Sequence, residues 1–278
     1  MRAYFLLVLF FIPFASFSQT IRQTLDRIYV GIDQVKTLSY DMSSHERIEG
    51  KMIVKSMSFR INASPRKVYM KDRETGVELL YVSGWNNNNA YINPNGFPWV
   101  NVSLGIQNSK VRADGHHCLL HAGFTYAHQL LKGTEKMILD RGYKLEERIK
   151  FGGDFTWNNI YCFKLILDDP LFGFEQVTIS QDQTLYSYCE KNNFSEYMIM
   201  VKNDLGYGAK LYKGQKLTVP TSFAKKVELY VDKSTYLPVL QYVYDNEGLF
   251  EKYEFKNVRV NPKMDTEEWT TKCKLYKF

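Results

Sequence analysis

The sequence predicts an α+β fold that is mainly β and antiparallel. Three observations predict it. Leu229 to Pro262 reads LYVDKSTYLPVLQYVYDNEGLFEKYEFKNVRVNP, three strand-like runs cut by two turn signals. The first hundred residues hold further strand-like runs joined by tight turns, which argues for a meander rather than βαβ units. Apolar residues at helical spacing are confined to a few stretches, the clearest between Thr20 and Lys36.

The elements follow in order. Arg2 is the only charge in residues 1–18, Ala3 to Phe14 is apolar, and Ala15-Ser16-Phe17-Ser18 precedes Gln19. This is the pattern of a secretory signal cleaved near Ser18/Gln19, so residues 1–18 are expected to be removed and the mature chain exported. The apolar run is too short to span a bilayer comfortably, and no second long run follows, so no transmembrane segment is expected in the mature chain. Ile21, Leu25, Ile28, Ile32 and Val35 then recur at three- and four-residue steps, with Thr20 as N-cap.

Strands are expected over Leu38–Ile48, around Ile53–Ile61, over Val68–Lys71, Val77–Val82 and Ala90–Ile92. Asn93 to Asp114, rich in Pro, Gly, Asn and Ser, reads as a long loop. Gly115 to Leu139 reads as a helical region broken near Gly123. A hairpin is expected from Tyr143–Phe151 and Asn159–Leu167 around Gly152-Gly153. In the closing meander, Asp232-Lys233-Ser234-Thr235 and Asp245-Asn246-Glu247-Gly248 are the turns. Pro238 belongs near a strand start or an edge. The apolar register shifts from Tyr253 and Phe255 to Val258 and Val260, which predicts a bulge near Asn257. Asp265 to Phe278 ends with a last strand.

The formal charge is +6, or +5 without Arg2, and no Lys/Arg run concentrates it, so nucleic acid is not indicated. Cys118, Cys162, Cys189 and Cys273 match no zinc spacing; disulfides and free buried thiols both remain open.

Leu229-Tyr230-Val231-Asp232-Lys233, Leu237-Pro238-Val239, Asp245 with Gly248, Tyr253-Glu254-Phe255, Asn257-Val258 and Asn261-Pro262 resemble the C-terminal part of the LolA-like lipoprotein-carrier family. The order of signal, amphipathic helix and meander is similar too. The whole also resembles an uncharacterised exported family of the DUF1571 type. The resemblance implies a curved, incomplete antiparallel β-barrel over residues 19–172 and 223–278, covered by helices. It further implies a cavity for a lipid or lipoprotein acyl chain. Such a half-barrel cannot close its own apolar interior, so it packs a helix there or accepts an apolar ligand. The inward residues are expected to be Phe59, Ile61, Leu80, Phe163, Leu165, Tyr242, Tyr253 and Phe255, with Trp85 and Trp99 at the rim.

Residues 177–220 resemble a LysM repeat, a small βααβ unit that binds N-acetylglucosamine-containing glycans, here expected as an insert over residues 173–222. Leu185, Tyr188, Cys189, Ile199 and Met200 are its expected buried positions. The resemblance places glycan contacts at Asp182, Gln183, Thr184 and Leu185 and at Asn203, Asp204, Leu205 and Gly206. The usual Gly-Asp-Thr of the first loop reads Asp182-Gln183-Thr184, so a glycine is missing there.

His116, His117 and His121 attract a metal-ligand reading, because His117 and His121 would share a helix face. No Glu stands between that pair in the zincin arrangement, and structural histidines are the expectation: no metal and no cofactor. Glu46 reads as strand-surface charge. No nucleophile elbow, phosphate loop or dinucleotide fingerprint is present. The expectation is a non-catalytic envelope protein that binds an acyl chain. Peptidoglycan binding through the insert is the alternative, and a metal-dependent hydrolase the second alternative.

Overall fold

The computed structural model describes residues 20–112 and 115–278. The signal segment expected over residues 1–18 lies outside the described residues. Helix α1 (Ile21–Asp33) starts where Thr20 and Gln23 exchange hydrogen bonds in a capping box, which satisfies two otherwise unpaired backbone N–H groups. Its buried face carries Ile21, Leu25, Ile28 and Ile32.

Strands β1 (Thr37–Ile48), β2 (Lys51–Asn62), β3 (Lys67–Asp72), β4 (Glu78–Val82), β5 (Asn89–Asn93) and β6 (Val102–Gly105) form an antiparallel meander. Glu49 and Gly50 join β1 to β2 with both φ angles positive, the conformation of a tight hairpin. β6 and the one-turn helix α2 (Ser109–Arg112) fall where a long loop was expected. Four residues of strand amid Asn, Pro and Gly carry no readable alternation.

The next region differs from expectation. Residues 115–124 are irregular, with one 3-10 turn at Leu119–His121, and only then does α3 (Thr125–Asp140) begin. Gly123, at φ 81°, breaks the helix. His117 and His121 therefore do not share a helix face. The short helix α4 (Leu145–Arg148) replaces the start of the expected strand, ahead of β7 (Ile149–Trp157) and β8 (Ile160–Asp168). Their turn lies at Asn158-Asn159, both at positive φ, and Gly152-Gly153 forms a bulge inside β7 instead.

Residues 173–222 hold β9 (Phe174–Thr178), β10 (Gln183–Thr184), α5 (Leu185–Asn192), α6 (Glu196–Asn203), β11 (Lys210–Leu211) and β12 (Lys216–Pro220). β9 pairs with β12 and β10 with β11, around a small core of Ile179, Leu185, Ile199, Leu211, Leu217 and Val219.

The chain then returns to the main sheet as β13 (Lys226–Asp232), β14 (Pro238–Asp245) and β15 (Gly248–Val260). Pro238 opens β14. The bulge expected near Asn257 is present: Asn257 has φ 53°, and the register with β1 shifts beside it. The sheet has eleven strands in the order β6-β5-β4-β3-β2-β1-β15-β14-β13-β8-β7, with no pairing between β6 and β7, so it does not close. β1 and β15 meet at its middle and fuse the two meanders.

One face of the sheet is covered by α1 and α3. The other face, near β3 and β4, is covered by the C-terminal segment. There Trp269, Cys273 and Tyr276 pack on Tyr69, Leu80 and Val82, with a 3-10 turn at Thr266–Trp269 where a last strand was expected. All four cysteines are buried and none is disulfide-bonded.

Candidate functional site

β2, β1 and β15 lie side by side, and a strand presents every second residue to one face. On the helix-covered face their registers make four rows. Tyr40 stands opposite Phe59. Met42 stands between Met57 and Phe255, and Ser44 between Lys55 and Tyr253. Glu46 stands opposite Glu251. The rows step from aromatic through thioether to hydroxyl, with the Lys55 ammonium in the same row, and then to carboxylate. Six residues at about 3.3 Å each give a gradient of roughly 20 Å.

These side chains floor a cavity of about 170 Å³. Leu79 and Met70 extend the floor, and Leu119, Ala122, Tyr126 and Leu130 form the roof. The roof is itself backed by the insert. Arg112 pairs with Glu196 at 2.8 Å and stacks over Tyr207, and the Tyr197 hydroxyl accepts from the backbone N–H of Glu49. The insert thus meets the main body through polar contacts and through Tyr197 and Met198, which pack with Leu130, Val243 and Phe250.

The acidic end of the cavity is closely bonded. His116 Nδ1–H donates to Glu251 Oε2 at 2.9 Å, and its Nε2–H donates to the Arg47 carbonyl at 3.2 Å. The Arg47 carbonyl can only accept, so Nε2 carries a proton, and the Glu251 carboxylate favours one on Nδ1 as well. Burial works against its charge, but Glu251 outweighs burial and raises its pKa. His117 Nε2 also reaches Glu251 Oε2, at 3.1 Å. The Tyr253 hydroxyl lies between Glu46 and Glu251, and its single proton serves one carboxylate at a time. Burial pushes the Glu251 carboxyl up, yet His117 and His116 together hold it well below the usual carboxylate range.

A second polar group adjoins this one. His121 Nε2–H donates to Glu190 Oε1 at 2.9 Å, and its ring stacks on Tyr126 at 3.8 Å. Burial lowers its pKa, but Cys118 and Glu190 overcome this and bring it to about 9. The Cys118 thiol, raised by burial, is drawn below its ordinary value by His121.

The predicted residues separate. Phe59, Tyr253 and Phe255 line the cavity. Ile61, Phe163 and Leu165 lie on the same face but are packed into the core under the helices. Leu80 is on the opposite face, under Trp269 and Tyr276, and its neighbour Leu79 takes the inward position. Tyr242 also faces the other way, packed with Tyr230 and Leu240, while Gln241 lines the cavity. Trp85 and Trp99 are 55% and 80% exposed, away from the cavity.

In the insert, Asp182 accepts from the backbone N–H of Lys213, Gln183 pairs with Leu211, Thr184 caps α5, and Leu185 is buried. The Asn203 amide ties α6 to Thr218, Asp204 is the left-handed cap, Leu205 packs in the insert core, and Gly206 is exposed. Glu46 corrects the sequence reading most: it is buried and faces the cavity. The alternation Tyr40-x-Met42-x-Ser44-x-Glu46 was the signal that could have shown it.

Residues 35–164 match the family model described as protein of unknown function (DUF1571). The DUF1571 segment runs from just before β1 into β8, so it holds the floor strands β1 and β2 and the whole roof but not β15. No curated protein matches the sequence. Among solved structures, the chain is similar to the Mycobacterium tuberculosis lipoprotein LppX, with 11% identity and a TM-score of 0.41 over 88% of this chain and 99% of that one. It is similar to LprF from Mycobacterium bovis, with 10% identity and a TM-score of 0.41 over 87% and 94%. It is also similar to a DUF1329 family protein from Desulfovibrio piger, with 9% identity and a TM-score of 0.33 over 91% and 98%. Among the described residues no helix is long and apolar enough to cross a membrane.

Proposed function

We propose that this is an exported cell-envelope protein that holds the apolar end of a lipid or lipoprotein acyl chain in the cavity above β1, β2 and β15, without catalysing a reaction. The observation that carries the reading is the row-by-row gradient: an apolar chain lies over Phe59, Met57 and Met42, and its polar head meets Ser44, Tyr253 and the glutamates.

The volume sets the scale. A cavity of about 170 Å³ is close to the engineered apolar cavity of about 150 Å³ that admits benzene. It therefore takes roughly six carbons, and at about 0.8 kcal/mol per methylene that is about 5 kcal/mol. This corresponds to a Kd on the order of 0.1 mM. A longer chain binds more tightly only by displacing part of the irregular roof over residues 115–124.

The reading is tested by titrating delipidated, chelator-stripped protein with a fluorescently labelled medium-chain fatty acid. Saturable binding is expected, weakened at least about tenfold in Met57→Trp, which fills the cavity. Absence of binding, together with organic extracts of natively purified protein free of acyl chains, would sink it.

In this reading the insert over residues 173–222 serves as the outer support of the roof. Glycan binding by its two loops has less behind it, because the Thr184 and Asn203 side chains are already engaged within the insert.

A further inference from the structure

We propose that Glu46, His117 and Glu251 form a binding site for a divalent transition cation, with Zn²⁺ the best fit, at the acidic end of the cavity. One ligand atom from each lies within 4.8 Å of the other two.

The register makes the first argument. Glu46 and Glu251 are cross-strand partners on the covered face, 6% and 0% exposed. Like charges placed directly opposite one another destabilise a sheet, the more so where water cannot screen them. His116 also reaches Glu251, but both its ring nitrogens are committed, to Glu251 Oε2 and to the Arg47 carbonyl. Arg47 and Arg112 are turned to other acids, Asp245 and Glu196. Lys55 stands one row away, opposite Ser44.

The bonding of Glu251 makes the second, independent argument. Its Oε2 is approached by His116, His117 and Tyr253, while its Oε1 is buried and without a hydrogen-bond partner. Leaving a buried carboxylate oxygen unmatched is costly, and a cation would satisfy it.

The donor set selects the metal. One imidazole and two carboxylates suit Zn²⁺, whereas Ca²⁺ and Mg²⁺ favour oxygen ligands in larger number. Zinc bonds of about 2.0–2.2 Å put tetrahedral ligand atoms roughly 3.5 Å apart. His117 Nε2 already reaches the Glu251 carboxylate, 3.1 Å from Oε2, with Oε1 left open to the cation. The three ligand atoms, within 4.8 Å of one another, are slightly wider apart than that tetrahedral spacing. His116 and Tyr253 act as the outer supports that orient the two carboxylates. The fourth position is left for a ligand from the cavity. Resting on the acyl-chain reading above, this position takes an anionic oxygen of the head group, which the two glutamates alone would repel.

The test uses the full chain, stripped with chelator and free of lipid, titrated with ZnCl₂ by calorimetry. One equivalent per chain is expected, with affinity falling more than about 100-fold in His117→Ala and Glu251→Gln, and about 10–100-fold in His116→Gln. Circular dichroism of the metal-free variants checks that each folds. If a variant does not fold, the Co²⁺-loaded wild type decides: d–d absorption without a thiolate charge-transfer band supports the site. A thiolate band, no bound Zn²⁺, or undiminished binding in folded His117→Ala and Glu251→Gln overturns it. A failed titration removes the metal alone, since fatty-acid binding is measured without metal, and a failed fatty-acid titration leaves the metal result standing.

Discussion

Two parts of the covered face of the sheet are built differently. Under α1, Leu25 and Ile28 meet Leu38, Ile61, Leu165 and Val231, all at most 3% exposed. Under residues 115–124 the same sheet carries a cavity. The difference lies in the cover rather than in the sheet. A regular amphipathic helix delivers an apolar side chain at every turn and fills the space beneath it. The irregular segment sends few apolar side chains down, chiefly Leu119 and Ala122, and the methionines of the floor are left partly unpacked. Gly123 comes so close to Ile61 that an added Cβ would stand 3.0 Å from its Cδ1.

The contrast can be broken or sharpened. The largest effect is expected from Ile28→Ala, which opens a void in the filled half and costs about 2–5 kcal/mol. At roughly 2–4 °C per kcal/mol for a chain of this size, thermal melting should show a drop near 10 °C. Next is Gly31→Ala. An added Cβ would sit 2.6 Å from the Thr235 carbonyl, so overpacking of about 1–3 kcal/mol should follow, read by denaturant midpoint.

Leu79→Ala, in the half with the cavity, should cost less than Ile28→Ala, about 2 kcal/mol, because part of its surroundings is already empty. It should also tighten binding of a longer acyl chain; equal losses at both sites would show that the two halves are packed alike. Thr20→Ala removes the cap of the filling helix and should cost about 1 kcal/mol in the same melts.

The smallest effect concerns the tie between α1 and α3. Glu135 of α3 accepts from Arg22 at 2.7 Å and from the Tyr29 hydroxyl at 2.9 Å. Burial raises its carboxyl, but the bonds from Arg22 and Tyr29 prevail and hold its pKa below the ordinary value. A carboxyl lowered by folding contributes stability that is complete above its unfolded pKa, about 4.3, and lost as pH falls through the folded value. Glu135→Gln should therefore be less stable by under about 1 kcal/mol at neutral pH and converge with wild type in acid. A gap unchanged across that range would contradict the assignment.

Much of the fold was legible because its signals are local. The α1 spacing, the Glu49-Gly50 hairpin and the Asn257 register change each occupy a few residues. The site was less legible. β4 reads ELLYV, apolar on both faces, so alternation could not say whether Leu79 or Leu80 turned inward. The answer depends on the C-terminal segment that covers Leu80, nearly two hundred residues away in the chain. Glu46 looked like surface charge because its meaning comes from Glu251, which the register sets opposite it. His117 was noticed, but beside the wrong partner: helical spacing suggested His121, whereas the fold supplies a glutamate from β15.

The β1–β15 pairing also governs the order of assembly. Every neighbour contact from β1 to β6 is local, and those strands can find one another as soon as they exist. The seam between β1 and β15 joins residues about two hundred positions apart, and contacts of such separation are slow to form. Until β15 arrives, β1 presents an unpaired edge and an uncovered row from Tyr40 to Glu46, the kind of surface that invites wrong partners. The cavity floor is therefore the last part of the sheet to be completed. A chain interrupted before Gly248 would lack Glu251, Tyr253 and Phe255 and so lose the site.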